Sequence, residues 1–453
     1  MEPADPRPRP GPSVDGDWIT FRIDDDPHWT PRRVWFHLRD YGADPSFHRD
    51  GAQWVARIPR PPVDRLEYLL VVERPDGGES MITDPANPRR SRGVFGDHSL
   101  LELPGYVPPW WIAVADAAEA QARRDAEASV AATRRAAGDR TSAWHRGRAL
   151  ATRTPGLVPI PGPAGLAPSA RPPGEGIASV RLQERRIEDD RQRRSFGPVT
   201  KPAGALVADP GTDPGPVVDG DAEVAVTGQL HVPSDSVPDE PLPLVVVHDG
   251  PEYADLGQLL RYLSTIARIE PGLRCRVLLL APVDRDRSYS ASPAYARALM
   301  TGMLPNVQES VHTRGPVVGI GASLGGLAML HAAVAHPGTL GGIFSQSGSF
   351  FRPRTDGMER GYRFYNRIVR FVDTVGAEPE RLDGLRVTLT CGTGEENLAN
   401  NRSMARRLRR AGVPTELIEN PDGHNYTGWR DALDPGLRGL LRAVWDSTTP
   451  AHP

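Results

Sequence analysis

The sequence predicts an α/β domain, a mostly parallel sheet covered by helices on both faces, preceded by a small β-sandwich. Three observations support this prediction. Residues 221–453 alternate short apolar runs with helical segments, which is typical of a parallel sheet. One of these runs leads into a Gly-x-Ser-x-Gly turn that a helical segment follows. Residues 16–112 contain instead short β-rich runs separated by Asp, Gly and Pro.

Composition and charge exclude several classes of partner. The chain has 453 residues, with 54 Lys and Arg against 57 Asp and Glu and a formal net charge of −3. No overall field therefore favours nucleic acid or an anionic membrane. The N-terminus lacks the basic and apolar segments of a signal peptide, and no apolar run is long enough to span a bilayer. We expect a cytoplasmic protein; the oligomeric state is left open.

The chain divides into four parts. Residues 1–15 are Pro-rich and are expected to be disordered. Residues 16–112 form the β-sandwich, with strands predicted at 18–23, 33–38, 53–58 and 66–72. Residues 113–220 combine an exposed Ala-rich helix with a Pro/Gly-rich linker. Residues 221–453 form the α/β domain.

The α/β domain is predicted in more detail from its apolar runs. Strands are expected at 243–248, 277–281, 316–320, 342–345, 387–391 and 415–419, and helices at 256–269, 294–311, 326–334 and 400–411. In such sheets functional side chains lie where strands end, at the carboxyl edge.

The most informative motif is Gly321-Ala322-Ser323-Leu324-Gly325, between a predicted strand and a predicted helix. This arrangement is the nucleophile elbow of α/β-hydrolases. The turn is tight enough to require small residues beside the serine. The serine then lies at a helix N-terminus, where backbone N–H groups can stabilise an anion. We therefore predict Ser323 as the nucleophile of an α/β-hydrolase.

A serine nucleophile needs a base, and the base needs a carboxylate to orient it. In this fold the order along the chain is serine, acid, histidine. His424 follows the last predicted strand in a turn-rich loop and is the predicted base. The acid should follow the strand that ends at Cys391, where Glu395 and Glu396 are both available, and we favour Glu395. Asp422 is a third candidate, but two residues before the histidine it is poorly placed to face the imidazole.

The remaining site residues are predicted from their places at strand ends. Oxyanion donors are the backbone N–H of Leu324 and that of Asp249 or Gly250, because Pro251 has no N–H. Several arginines around one pocket would favour an anionic or aromatic oxygen-rich substrate. The expected pocket residues are Arg285, Arg287, Arg352, Arg402, Trp429 and Arg430. No metal-binding or other cofactor motif is present in the sequence, so no cofactor is predicted.

As an ordered set, the motifs resemble the enterochelin (ferric enterobactin) esterase family, within the esterase D-like α/β-hydrolases. The segments that carry the resemblance are 247–250 with Tyr253, 287–290, 304–305, 321–326, 345–349, 391–395, 423–425 and 429–430. The resemblance implies the triad Ser323, Glu395 and His424, and places Tyr253 among the substrate-binding residues. It also implies an early-set-like N-terminal sandwich, and a ferric siderophore ester that is cleaved in the cytoplasm to release iron.

The predicted function is a serine esterase that acts through an acyl-enzyme on a small-molecule ester. Two other functions stay open at this point. The same triad could transfer an acyl group to an alcohol, or the chain could be a non-catalytic protein that binds through its sandwich. The identity of the ester is a further open question.

Overall fold

A computed structural model describes residues 11–24, 31–37, 46–138, 157–160, 224, 226–233, 236–237 and 239–446. Its N-terminal part is a pair of antiparallel sheets with strand orders β1-β2-β5-β4 and β3-β6-β9-β8, and β7 pairs with β6. The strands are β1 (Gly11–Asp15), β2 (Trp18–Asp24), β3 (Arg33–His37), β4 (His48–Asp50), β5 (Gln53–Pro59), β6 (Arg65–Glu73), β7 (Glu79–Ile82), β8 (Arg90–Gly93) and β9 (Gly96–Glu102). Four of these, β2, β3, β5 and β6, match the predicted strands.

Alternating side chains build the core between these two sheets. In β2 every second residue is buried, as expected for a strand with one face on a core. Phe21 meets Phe36 edge to face at 4.7 Å and Tyr68 at 5.1 Å between ring centroids. Aromatic pairs of this geometry stabilise a core beyond the area they bury.

The N-terminal segment differs from the prediction at one end. Residues 11–15, assigned to a disordered terminus, form β1, which pairs antiparallel with β2. Pro12 lacks a backbone N–H, but an edge strand tolerates this because only one of its sides must pair. Residues 1–10 lie outside the described residues.

An eight-stranded sheet forms the C-terminal part, in the order β10-β11-β13-β12-β14-β15-β16-β17. Its strands are β10 (Leu157–Ile160), β11 (Val226–His231), β12 (Leu244–Val247), β13 (Arg276–Pro282), β14 (Val317–Ala322), β15 (Leu340–Gln346), β16 (Arg386–Gly392) and β17 (Thr415–Asn420). The six strands from β12 to β17 run parallel, and β10 and β11 are antiparallel additions at one edge. The predicted fold class is confirmed.

Helices cover both faces of this sheet, so that residues of β12 alternate between two separate hydrophobic cores. The helices are α1 (Trp110–Gly138), α2 (Gly250–Asp255), α3 (Leu259–Ile269), α4 (Arg285–Tyr289), α5 (Pro293–Arg297), α6 (Leu304–Ser310), α7 (Leu324–Ala335), α8 (Tyr365–Thr374), α9 (Leu398–Arg410), α10 (Tyr426–Asp431) and α11 (Gly436–Trp445). A π-helical segment, Ala298–Met303, joins α5 to α6.

The segment predicted as helix and linker is partly built into the fold. The start of α1 packs on the α/β domain, where Trp111 is fully buried and meets Tyr262 edge to face at 5.3 Å. Strand β10 extends the large sheet by pairing with β11. Strand β10 has only four residues and lies in a Pro/Gly-rich stretch, so its hydrophobic pattern is too short for a strand to be predicted from the sequence. The rest of this segment, 139–156 and 161–220, lies outside the described residues.

Candidate active site

Neighbouring parallel strands bring the predicted triad to one edge of the sheet. Ser323 follows β14, Glu395 follows β16, and His424 follows β17. Strand β15 lies between β14 and β16, and the carbonyl oxygen of its last residue, Gln346, accepts a hydrogen bond from the Ser323 N–H at 2.9 Å. The carboxyl edge therefore collects side chains that are up to about a hundred residues apart in sequence.

Ser323 lies on a strained turn that its glycine neighbours make possible. Its φ and ψ are 55° and −123°, a conformation that residues with a side chain rarely adopt. A Cβ atom at Gly321 would lie 2.4 Å from the carbonyl carbon of Gly325, and one at Gly326 would lie 2.2 Å from Ser345 Oγ. Strand β14 and helix α7 can meet at this serine only because these positions carry no side chain.

A buried carboxylate orients the imidazole. His424 Nδ1 lies 2.8 Å from Glu395 Oε2, and the Glu395 side chain is 0% exposed. The other oxygen, Oε1, accepts hydrogen bonds from the Gly392 N–H at 2.8 Å and from the Ser347 hydroxyl at 2.6 Å. With Nδ1 donating to the carboxylate, Nε2 is left as the acceptor that a general base requires.

The other two candidate acids lie in different surroundings. Glu396 is exposed. Asp422 is buried but is bonded to Arg65, whose Nε donates to Asp422 Oδ2 at 3.0 Å. Glu395 is thus the candidate acid that the structure places against the imidazole, and its role stays a prediction.

Two residues predicted to bind substrate, Trp429 and Tyr253, are buried beside this arrangement. Trp429 is 7% exposed, and its Nε1–H donates to Ser347 Oγ at 2.9 Å, behind the carboxylate. Its ring also meets His424 edge to face at 5.0 Å. Tyr253 is fully buried, and its hydroxyl donates to Gln346 Oε1 at 2.9 Å. Both side chains thus bond to residues of the loop after β15 or its last strand residue, and their contact with a substrate stays a prediction.

Ser323, the predicted nucleophile, has a hydroxyl neighbour in the loop after β15. Ser323 Oγ lies 3.1 Å from Ser349 Oγ, and the Ser349 N–H donates to the Ser323 carbonyl oxygen at 3.1 Å. Ser349 is itself buried. The 345–349 loop therefore forms the wall of the site, as its sequence position suggests.

The candidate oxyanion donors lie at two helix starts. Leu324 is the first residue of α7, and Gly250 is the first residue of α2. The N–H of Asp249 donates to the Tyr289 hydroxyl at 3.2 Å, so it is already engaged. Of the two alternatives for the second donor, Gly250 is favoured by this geometry. A Cβ at Gly250 would lie 2.5 Å from Leu279 Cα, so this close approach requires glycine.

His248, at the end of β12, supports the elbow in a way that sequence reasoning missed. Its Nδ1 lies 2.8 Å from the Gly325 carbonyl oxygen. A carbonyl only accepts, so Nδ1 must carry the hydrogen. Burial lowers the pKa of His248 to about 4, which keeps the ring neutral.

The predicted pocket arginines are mostly engaged with protein groups. Arg285 forms a bidentate pair with Asp249, with its Nε 2.9 Å from Oδ1 and its Nη2 2.8 Å from Oδ2. Arg402 forms a bidentate pair with Glu419 on β17, at 2.6 and 2.5 Å. Arg430 pairs with the adjacent Asp431 at 2.7 Å. These three arginines therefore lie in ion pairs with acidic side chains, and their contact with a substrate stays a prediction.

The two remaining arginines lie beside different surfaces. Arg287 is half-buried on α4, and its backbone N–H donates at 3.1 Å to the Asp284 carboxylate, which caps the helix. Arg352 donates to the Ser403 hydroxyl and lines a groove of ≈ 520 Å³ between α8 and α9. Three further arginines line this groove: Arg406, Arg407 and Arg410.

The N-terminal sandwich contacts the loop that carries His424. Arg65 of β6 is 2% exposed and lies between Asp422 and Asp431, with its Nη1 3.0 Å from Asp431 Oδ2. The Asp64 N–H donates to the Pro421 carbonyl oxygen at 2.7 Å. Burial would lower the pKa of Arg65, but the two carboxylates raise it above its ordinary value. Charge complementarity thus docks the sandwich beside the candidate base.

The described part of the chain has two further properties that bear on function. None of its helices combines the length and apolar character that crossing a bilayer requires. It also contains no group of three or more His, Cys, Asp or Glu side chains that could hold a metal ion. Cys275 and Cys391 are buried free thiols.

The chain is similar to several known esterases. The model of a family described as putative esterase matches residues 222–440, which is just under half of the chain and most of the C-terminal domain. The chain is also 24% identical over 213 residues to the iron(III) enterobactin esterase of Escherichia coli K12 and 26% identical over 231 residues to the iron(III) salmochelin esterase of E. coli O6:H1. These matches cover 46% and 47% of this chain, and 51% and 54% of those proteins.

The chain thus spans about half the length of the curated relatives that it matches. Solved structures support the whole architecture. The enterobactin esterase of Shigella flexneri, with 17% identity, aligns over 97% of both chains with a TM-score of 0.56. The ferric enterobactin esterase of Salmonella typhimurium, with 18% identity, covers 96% of this chain and 97% of its own with a TM-score of 0.58. The resemblance of this chain to the enterochelin esterase family is confirmed.

Proposed function

We propose that this protein is a serine esterase that hydrolyses a carboxylic ester through an acyl-enzyme. The observation that carries the proposal is the 2.8 Å contact of His424 Nδ1 with the buried Glu395 carboxylate, at the sheet edge where Ser323 lies on its strained turn. A base with a fixed tautomer and a serine presented at the same sheet edge are the groups that activation of a serine requires.

In the proposed mechanism Ser323 Oγ attacks the ester carbonyl carbon while its proton moves to His424 Nε2. The negative charge that develops on the carbonyl oxygen is stabilised by the N–H groups of Leu324 and Gly250. Collapse of the intermediate expels the alcohol, which takes the proton from His424, and leaves the acyl group on Ser323. Water then attacks the acyl-enzyme with His424 again as base, and Glu395 stabilises the imidazolium in both steps.

We propose a ferric siderophore ester as the substrate, with iron as cargo. The support is the sequence similarity to iron(III) enterobactin and salmochelin esterases, together with the shared architecture. The cytoplasmic location stays a prediction.

Two measurements test the esterase. Ser323→Ala should lose hydrolysis of p-nitrophenyl acetate and labelling by a fluorophosphonate, whereas Ser310→Ala, at the end of α6, should keep both. Hydrolysis by Ser323→Ala at the wild-type rate would exclude the mechanism. A non-catalytic binding protein would show neither activity nor labelling in the wild type.

The substrate is tested separately, by turnover of ferric and iron-free catecholate siderophores beside simple acyl esters. Cleavage of simple esters alone would retain the esterase and exclude the siderophore. Product analysis with an added alcohol separates hydrolysis from acyl transfer.

A further inference from the structure

The pair formed by Arg285 and Asp249 lies beside the candidate oxyanion hole. Asp249 immediately precedes Gly250, the second candidate donor, and its side chain is 7% exposed. Arg285 reaches it from α4, after the neighbouring strand β13, with three contacts of 2.8 to 3.1 Å. A bidentate pair of this kind fixes geometry as well as charge.

The Asp249 carboxylate is close to the start of α7. A Cβ atom placed on Gly325 would lie 3.5 Å from Asp249 Oδ2, so this oxygen packs against the first turn of the elbow helix. The neighbouring Leu324 N–H is the donor expected to stabilise the anion that forms during acyl transfer. A second negative charge in this place would oppose the developing oxyanion, because charges repel each other strongly in a partly buried site.

The loop around Asp249 is also conformationally demanding. Asp249 adopts φ 51° and ψ 44°, in the left-handed region that Asp and Asn tolerate better than most residues. Its N–H is held by the Tyr289 hydroxyl, and the Arg285 guanidinium lies 5.5 Å from the centre of the Tyr289 ring. Burial would lower the pKa of Arg285, but the Asp249 carboxylate raises it well above its ordinary value, so the guanidinium stays charged.

We propose that Arg285 is a positioning residue, which neutralises and holds Asp249 so that the oxyanion forming at Leu324 and Gly250 meets no opposing charge. This inference rests on the esterase function proposed above. It differs from the role predicted from the sequence, in which Arg285 contacts an anionic substrate.

The test uses p-nitrophenyl acetate, a neutral ester that offers an arginine no anionic group. Arg285→Met should lower kcat about 100-fold, since it leaves an unneutralised carboxylate beside the oxyanion, and should change KM less than about threefold. Asp249→Asn with Arg285→Met should recover kcat to within about tenfold of the wild type, because Asn tolerates the same backbone conformation and carries no charge. Arg285→Lys keeps the charge and should retain more activity than Arg285→Met.

The matched control is Arg442→Met, which breaks another bidentate pair. Arg442 contacts Glu270 at 2.5 Å through each of two nitrogens, at the end of α11 and away from the elbow. This variant should keep the wild-type kcat. Circular dichroism and thermal melting of each variant show whether it is folded.

Three outcomes would overturn the proposal. One is an unchanged kcat in Arg285→Met on the neutral ester, with weaker binding only of anionic esters. A second is a loss that the double variant does not reverse, which would indicate a purely structural role. The third is an Arg285→Lys variant as inactive as Arg285→Met. A wild type that hydrolyses no ester would instead contradict the proposed function itself.

Discussion

Glu395→Gln is the sharpest perturbation of the candidate triad, because the structure fixes how the amide must lie. Glu395 Oε1 accepts from the Gly392 N–H at 2.8 Å, and this backbone donor cannot change its role. The glutamine oxygen must therefore take the Oε1 position, which directs the NH₂ group toward His424 Nδ1.

An NH₂ group facing Nδ1 makes that nitrogen the acceptor and moves the ring hydrogen to Nε2. The imidazole then cannot take the proton of Ser323, although the shape of the site is unchanged. Removal of the correct tautomer in serine hydrolase triads lowers kcat by about 10⁴-fold. We therefore expect a loss of about 10³- to 10⁴-fold in kcat for Glu395→Gln.

The assay is steady-state hydrolysis of p-nitrophenyl acetate, with thermal melting as a check on folding. Glu396→Gln is the matched control, since it makes the same change one residue later on an exposed side chain. A Glu395→Gln protein within tenfold of the wild type would refute the tautomer reasoning. So would an equal loss in the control variant.

Two further predictions concern stability at the domain contact. Arg65→Met should cost about 3–5 kcal/mol of unfolding free energy in urea, because it leaves Asp422 buried without its cation; a loss below about 1 kcal/mol would contradict this. Burial raises the pKa of Glu67 from 4.5 to about 7, so the folded state binds more protons than the unfolded chain between these values. Stability should therefore fall by about 3 kcal/mol as the pH rises from 4 to 8, and Glu67→Gln should lack this contribution; equal pH dependence in both proteins would contradict it.

Local patterns were sufficient to predict the elements that present the triad. The elbow at Ser323 is a short-range motif, since its glycines and its flanking strand and helix are contiguous in the sequence. His424 and Glu395 could be predicted because parallel strands end at one edge, so residues just after two strands must lie near each other. The sequence also favoured Glu395 over its neighbour Glu396, and in the structure the Glu395 carboxylate contacts His424 Nδ1.

Side-chain partners across long separations could not be predicted in this way. Arg65 and Asp422 are 357 residues apart, and no periodic pattern relates one to the other. Trp429 and Tyr253 were placed at the correct edge, but whether an aromatic ring faces a pocket or the interior depends on packing against several elements at once. The same limit applies to Arg402, whose partner Glu419 comes from the adjacent strand.

The burial of Trp111 against Tyr262 has a practical consequence for anyone who isolates the C-terminal α/β domain. A truncated chain that begins at residue 221 would expose the apolar surface of α3 that this indole covers, and would also remove β10 from the sheet edge. Aggregation is the expected fate of such a fragment. A fragment of the α/β domain prepared by limited proteolysis should therefore include the first turns of α1.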